Sequence, residues 1–379
     1  MSLLKSRFIE MFGDPIKNEK RWAQLTLNSV CDGIGDGLHG TPEYDDSGDF
    51  YFINGNNLIN GEIVITPSTK KVNEEVFKKY YRNISSNALL LSINGTLGKI
   101  AFYNNEAITL GKSACYINLK TFVNKYFVFE LMKTDHFLKY LEENSTKSTI
   151  KNVSLKTIRN FQLISPPENL QNDFISFSKK IDKSKFLLQQ ILKKLELLKK
   201  SRFIEMFKNS ETLRLDQIAE VTMGQSPDSS SYNSVGKGIP FYQGKTEFTD
   251  KYIGQPSTWC TSPTRIAKEN DILMSVRAPV GNVNIATEEC CIGRGLSSIS
   301  PQNGFNSEFI FEALEQKKEE LENKATGSTF KAINKDIVLS IQIPNTSISI
   351  QKEYSNFVKQ IDKSKLIIQK ALEDLVGKV

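Results

Sequence analysis

Apolar and polar positions alternate most regularly between residues 168 and 207, ENLQNDFISFSKKIDKSKFLLQQILKKLELLKKSRFIEMF, a run with no Gly or Pro. Phe174, Phe177, Ile181, Leu188, Ile191, Leu195 and Leu198 fall three and four apart, with Ser184 interrupting the row and lysines crowding the other positions. This spacing predicts a single helix with a heptad seam. At about 1.5 Å per residue it would extend on the order of 60 Å, longer than one compact domain needs, so a partner helix is expected. Tyr354, Phe357, Ile361, Ile368 and Leu375 repeat the seam near the C-terminus, and Ile361-Asp362-Lys363-Ser364-Lys365 copies Ile181-Asp182-Lys183-Ser184-Lys185.

That copy belongs to a larger internal repeat. Ser148-Thr149-Ile150-Lys151 recurs as Ser328-Thr329-Phe330-Lys331, and Gln162 and Gln342 sit in Pro-punctuated β-rich runs over residues 161–167 and 337–344. Upstream, residues 88–100 (ALLLSINGTLGKI) parallel residues 271–283 (DILMSVRAPVGNV). Each copy is expected to open with a short β-rich part (27–30; 215–221). A Gly/Asp/Ser/Pro loop follows, then strands separated by glycine turns, then a closing helix (122–142; 306–323) and a long helix. The pattern is α+β, two tandem modules with short-stranded β-rich cores, separated by two long antiparallel coiled-coil-like helices about a pseudo-twofold. The expected division is 1–12, 13–167, 168–208, 209–345 and 346–379. Lys5 to Phe12, KSRFIEMF, is identical to Lys200 to Phe207. The closing piece of the second module therefore leads the chain, and residues 3–12 are expected to pack as a helix beside the C-terminal helix, pairing antiparallel with the central one.

Composition changes this picture little. The net charge of +6 permits a polyanionic partner without requiring one. Five cysteines, odd in number and without paired C-x-x-C spacing, argue against a zinc site and for a reduced, cytoplasmic setting. No window reads as a secretory leader or a membrane span. Gly35-Asp36-Gly37-Leu38-His39-Gly40 has the outline of a dinucleotide loop, but Thr41-Pro42 and an acidic turn follow where a helix would have to begin, so a surface loop is expected. His39 and His136 lack a nucleophile or carboxylate at a telling spacing. The Pro166-Pro167 pair has the wrong neighbours for an adenine methyltransferase. No catalytic, cofactor-binding or metal-binding residue is expected.

Binding chemistry is better represented. Asn94, Lys99, Lys112, Lys147 and Lys151 in the first copy correspond to Arg277, Asn282, Arg294, Gly327 and Lys331 in the second. Asn54, Asn56, Gln243 and Lys245 end the aromatic strands. Arg and Lys can bridge guanine or grip phosphate, and Asn or Gln can read adenine. The candidate DNA-binding residues are thus Asn54, Asn56, Asn94, Lys99, Lys112, Lys147, Lys151, Gln243, Lys245, Arg277, Arg294 and Lys331. A repeated frame with altered edge residues suits two related readers of two different sequences. The residues also leave open a protein-binding coiled-coil scaffold, or a methyltransferase or nuclease with an unfamiliar motif.

With its duplicated layout, IGDGLHGTPEY…FINGNN, LLLSINGTLGKIAFY, the paired TLGKSA and CIGRGL segments and LLKKSRFIEMF, the chain resembles the specificity subunits of type I restriction-modification enzymes along essentially its whole length. The resemblance implies two target-recognition domains that read the halves of a bipartite double-stranded DNA target, held apart by two helices acting as a ruler. It also implies two modification subunits, which methylate adenine N6, and restriction subunits as partners. S-adenosylmethionine, ATP and Mg would then belong to those partners.

Overall fold

A computed structural model describes residues 3–326 and 331–376. The chain divides into two units, residues 1–188 with 370–379, and residues 189–369. Residues 327–330, which include Gly327 and most of the second Ser-Thr-aromatic-Lys repeat, lie outside the described residues.

Both units share one topology. In the first, Cys31–Asp36, Ala114–Leu119, Ala88–Ser92 and Ile100–Phe102 form an antiparallel sheet in that spatial order; in the second, Ala219–Met223, Leu296–Pro301, Ile272–Ser275 and Val283–Ile285 do the same. The strand Ala88–Ser92, apolar up to its final serine, is buried on both faces. Its two-residue period sends Leu89 and Leu91 into a core under the helices, and Ala88 and Leu90 into a smaller core under a parallel strand pair. Ile272, Met274 and Leu273 divide the same way in the second unit. A two-stranded clasp, Ala23–Thr26 with Gln162–Ser165 or Thr212–Arg214 with Gln342–Pro344, ties each unit's beginning to its end.

The local assignments differ from expectation in three places. Leu27–Val30 is a 3₁₀ turn rather than β, because the Thr26 hydroxyl accepts the Ser29 N–H and the Leu27 N–H donates to the Phe161 carbonyl. Likewise Leu215–Ile218 is helical before the strand begins. The closing helices are each broken, Lys125–Met132 from Asp135–Glu143 and Ser307–Glu315 from Lys318–Lys324; in the first, the Thr134 hydroxyl starts a new helix by accepting the Phe137 N–H.

The central helix is continuous over Glu168–Phe207 and the C-terminal one over Ile348–Val376. Leu3–Phe12 is a helix whose rings meet the first turns of the central helix. Phe8 and Phe12 lie 5.4 Å from Phe174, and Phe12 lies 5.2 Å from Phe127. These ring contacts all lie in the first unit. The second unit repeats them. Phe203 and Phe207, the copies of Phe8 and Phe12, pack 5.3 and 5.6 Å from Tyr354, and Phe207 packs 5.2 Å from Phe309. Each KSRFIEMF segment thus fills an aromatic socket at the start of a long helix. The backbone carbonyls that end the leading helix accept from the Lys20 ammonium and the Trp22 indole N–H.

Within the second unit the two long helices run antiparallel, joined by Tyr354 Oη to the Lys199 carbonyl and by Arg202 to Glu353. The buried seam is narrower than the heptad reading: Leu192, Leu195 and Lys199 are half-buried, while Ile191 and Leu198 stay exposed. Buried Glu312 faces Lys199 Nζ at 3.2 Å. Its copy in the first unit, Glu130, is held by Lys133 and by the Ser178 hydroxyl at 2.8 Å.

Candidate nucleic-acid interface

The edge that carries the candidate residues is built by long-range backbone bonds. In the first unit Phe50–Ile53 runs parallel to Ile108–Leu110, and the pair ends where the Gly111 N–H donates to the Ile53 carbonyl at 2.9 Å. Asn54 and Lys112 therefore leave the sheet side by side. The Ile93 N–H then donates to the Ser113 carbonyl, and the Gly95 N–H to the Lys151 carbonyl. Asn54, Lys112, Asn94 and Lys151 are thereby strung along one stitched edge.

The second unit repeats each join. Gly293 and Gly295 donate to the carbonyls of Tyr242 and Gln243, Val276 to that of Gly295, and Ala278 to that of Lys331, at 2.9–3.1 Å. The equivalent edge carries Gln243, Arg294, Arg277 and Lys331. The Ser92 and Ser275 hydroxyls hold the adjoining turns by donating to carbonyls within them.

Asn54, Asn56, Asn94 and Lys151 line a groove of about 850 Å³ that is also bordered by Thr149 and Glu142. Asn94 and Lys112 share a neighbouring hollow of about 390 Å³ with Asp36 and His39. Two side chains are partly engaged already. The Asn54 Oδ1 accepts the Ser113 hydroxyl at 2.8 Å, and Lys151 is ion-paired with Glu142. In the second unit Lys331, Pro279 and Glu322 border a hollow of about 510 Å³. Lys99, Lys147 and Lys245 do not join the edge. Lys99 is half-buried behind its turn, Lys147 lies on the exposed loop after Asp135–Glu143, and Lys245 opens a separate turn closed by the Phe248 N–H.

The sequence had left His39 and Ser226 aside, yet both border this edge. His39 Nε2 lies 2.6 Å from Asp36 Oδ2, and the Ser226 hydroxyl accepts the Arg294 N–H. The glycines before them explain the dinucleotide-like motif. A Cβ on Gly37 would sit 2.1 Å from the Leu110 carbonyl oxygen, and one on Gly224 would sit 2.2 Å from that of Gly293. These glycines let strands cross closely, and no phosphate-binding helix follows them. Gly37→Ala should destabilise the protein by about 1–3 kcal/mol in chemical denaturation, because backbone and not a flexible side chain must move.

The type I restriction modification DNA specificity domain matches residues 19–197 and again residues 208–376. The chain belongs to that family. This specificity chain is also similar to a Methanocaldococcus jannaschii protein named as a type I restriction enzyme MjaX specificity subunit, with 32% identity over 335 residues, 78% of each chain. Its fold resembles that of a chain in a structure of type I R-M system assembly, with a TM-score of 0.70 and 24% identity over 93% of this chain and 94% of that one. It also resembles the HsdS subunit from Thermoanaerobacter tengcongensis, at a TM-score of 0.52 and 24% identity over 93% and 91%.

Elsewhere the specificity chain shows structural roles for its reactive groups. The His136 ring packs 5.4 Å from Phe161, and burial lowers its pKa. All five cysteines are free and buried, and burial raises the Cys31 and Cys290 thiols to about 12, far from a nucleophile's range. Among the described residues no group of three His, Cys, Asp or Glu could hold a metal, and no helix is long and apolar enough to cross a membrane.

Proposed function

We propose that this specificity subunit contributes DNA recognition without catalysis of its own, each unit reading one half of a bipartite double-stranded target. The observation that carries the reading is the duplicated edge. One backbone frame is built twice, with Asn54, Lys112 and Asn94 in one copy replaced by Gln243, Arg294 and Arg277 in the other. Cationic residues on such an edge hold register through phosphates, and amides and guanidinium groups choose bases. The exposed apolar residues of the long helices, Phe186, Leu187, Leu197, Leu366 and Ile367, suit docking by modification subunits. Methyl transfer from S-adenosylmethionine, and ATP- and Mg-dependent restriction, then fall to partner subunits.

Exchanging residues 25–165 for the corresponding part of another family member should change one half of the methylated motif and leave the other intact. An adenine-methylation map of the host checks this, and altered specificity in both halves would overturn the modular reading.

A further inference from the structure

The two edges differ in one chemical respect that bears on the DNA sequence itself. The second unit carries two arginines, Arg277 and Arg294, where the first carries Asn94 and Lys112. Resting on the reading above, we infer that the half-site read by the second unit contains two fixed guanines, one contacted by each arginine, and that the first unit reads its half-site without arginine.

The guanidinium fork matches guanine O6 and N7 in the major groove, a bidentate geometry that neither lysine nor asparagine reproduces. Such readout requires a fixed backbone and an uncommitted side chain, and both arginines have these. The Arg277 carbonyl accepts the Ser275 hydroxyl at 2.8 Å, its residue pairs with Ala332, and the next N–H is bound to Lys331. Arg294 lies between two glycines whose N–H groups are bonded to the parallel strand, and its own N–H reaches Ser226. Both side chains are exposed. Among the described residues neither forms an ion pair, whereas Arg202 is paired with Glu205 and Glu353, and Arg214 with Asp216. In the first unit Arg82 and Arg159 donate to the backbone carbonyls of Asp36 and Ile34, so those guanidinium groups brace the sheet instead of ending on the edge.

The test is the adenine-methylation map of cells carrying the full-length chain with its partners, compared for the native protein, Arg277→Ala and Arg294→Ala. The native map should show a bipartite motif with two invariant guanines, on either strand, in the half that survives replacement of residues 25–165. Each variant should lose discrimination at one of those guanines by about tenfold or more. Retention of the other half-motif shows that the variant is folded and assembled. A second-unit half-site lacking fixed guanines overturns the inference while leaving the bipartite reading in place. So does a uniform fall in methylation at every site without relaxation, which is the signature of phosphate contact. Absence of any bipartite motif overturns both.

Discussion

Replacing Phe12 with alanine is expected to lower the unfolding free energy of the first unit by about 3–5 kcal/mol. Phe12 is fully buried, and its ring makes edge contacts with Phe127 and Phe174 while also meeting Phe8 at 5.1 Å. The loss therefore includes hydrophobic transfer, a cavity and aromatic contacts worth roughly 0.5–1.5 kcal/mol per pair. Phe207→Ala removes the same ring from the second socket and should cost a similar amount. Hydrogen exchange would locate each loss in its own unit. A Phe12→Ala loss below about 1 kcal/mol would mean that the leading helix is dispensable.

Lys199→Met should be equally severe, at about 3–5 kcal/mol, because it strands Glu312 as a buried anion. Neither Glu312 oxygen accepts a well-aligned hydrogen bond among the described residues, so Lys199 at 3.2 Å is its main compensation. Burial raises the Glu312 carboxyl above its ordinary value of 4.5 against the pull of Lys199. Burial would lower the Lys199 ammonium, but Glu312 and Glu196 outweigh it and hold that group above the ordinary lysine value. The folded state therefore takes up a proton at Glu312 more readily than the unfolded chain does. Stability from this site rises as pH falls through the folded carboxyl's range toward 4.5. The lysine's contribution is present below its ordinary value and is lost as strongly alkaline pH passes its folded one. Lys199→Met should consequently recover part of its deficit between neutral pH and pH about 5, and adding Glu312→Leu should recover most of it at neutral pH. Urea titrations of both variants at the two pH values check this. A double variant no more stable than the single one would assign the loss to something other than the stranded charge.

The repeat and the long helix were legible in the sequence because both are periodic and local. A heptad run broken only at Ser184, and copies of IDKSK and KSRFIEMF, need no tertiary information. The 3₁₀ turn at Leu27–Val30 was not, since it depends on a bond to Phe161 more than a hundred residues away. Heptad spacing also overestimated the seam, because the helices half-bury Leu192 and Leu195 and leave Ile191 and Leu198 exposed. At the candidate site the residue types were readable, but not their adjacency. A parallel strand pair brings residues 54 and 112 to the same end of the sheet, and a bridge from Asn94 to Asn152 brings Asn94 beside the turn that carries Lys151. Lys99, Lys147 and Lys245 have suitable chemistry, but the backbone carries them away from that edge.

That the first KSRFIEMF precedes the central helix in sequence has a consequence during synthesis. Phe8 leaves the ribosome roughly 160 residues before Phe174, the ring that covers it. At about 5–20 residues per second, that leaves the apolar face of the leading helix waiting for on the order of 10–30 s. Phe203 and Phe207 likewise wait, for Tyr354 and Phe309, which follow roughly 150 and 100 residues later. The first unit cannot close until the central helix has begun to appear, so the helix Leu3–Phe12 is among the last parts of that unit to find its place.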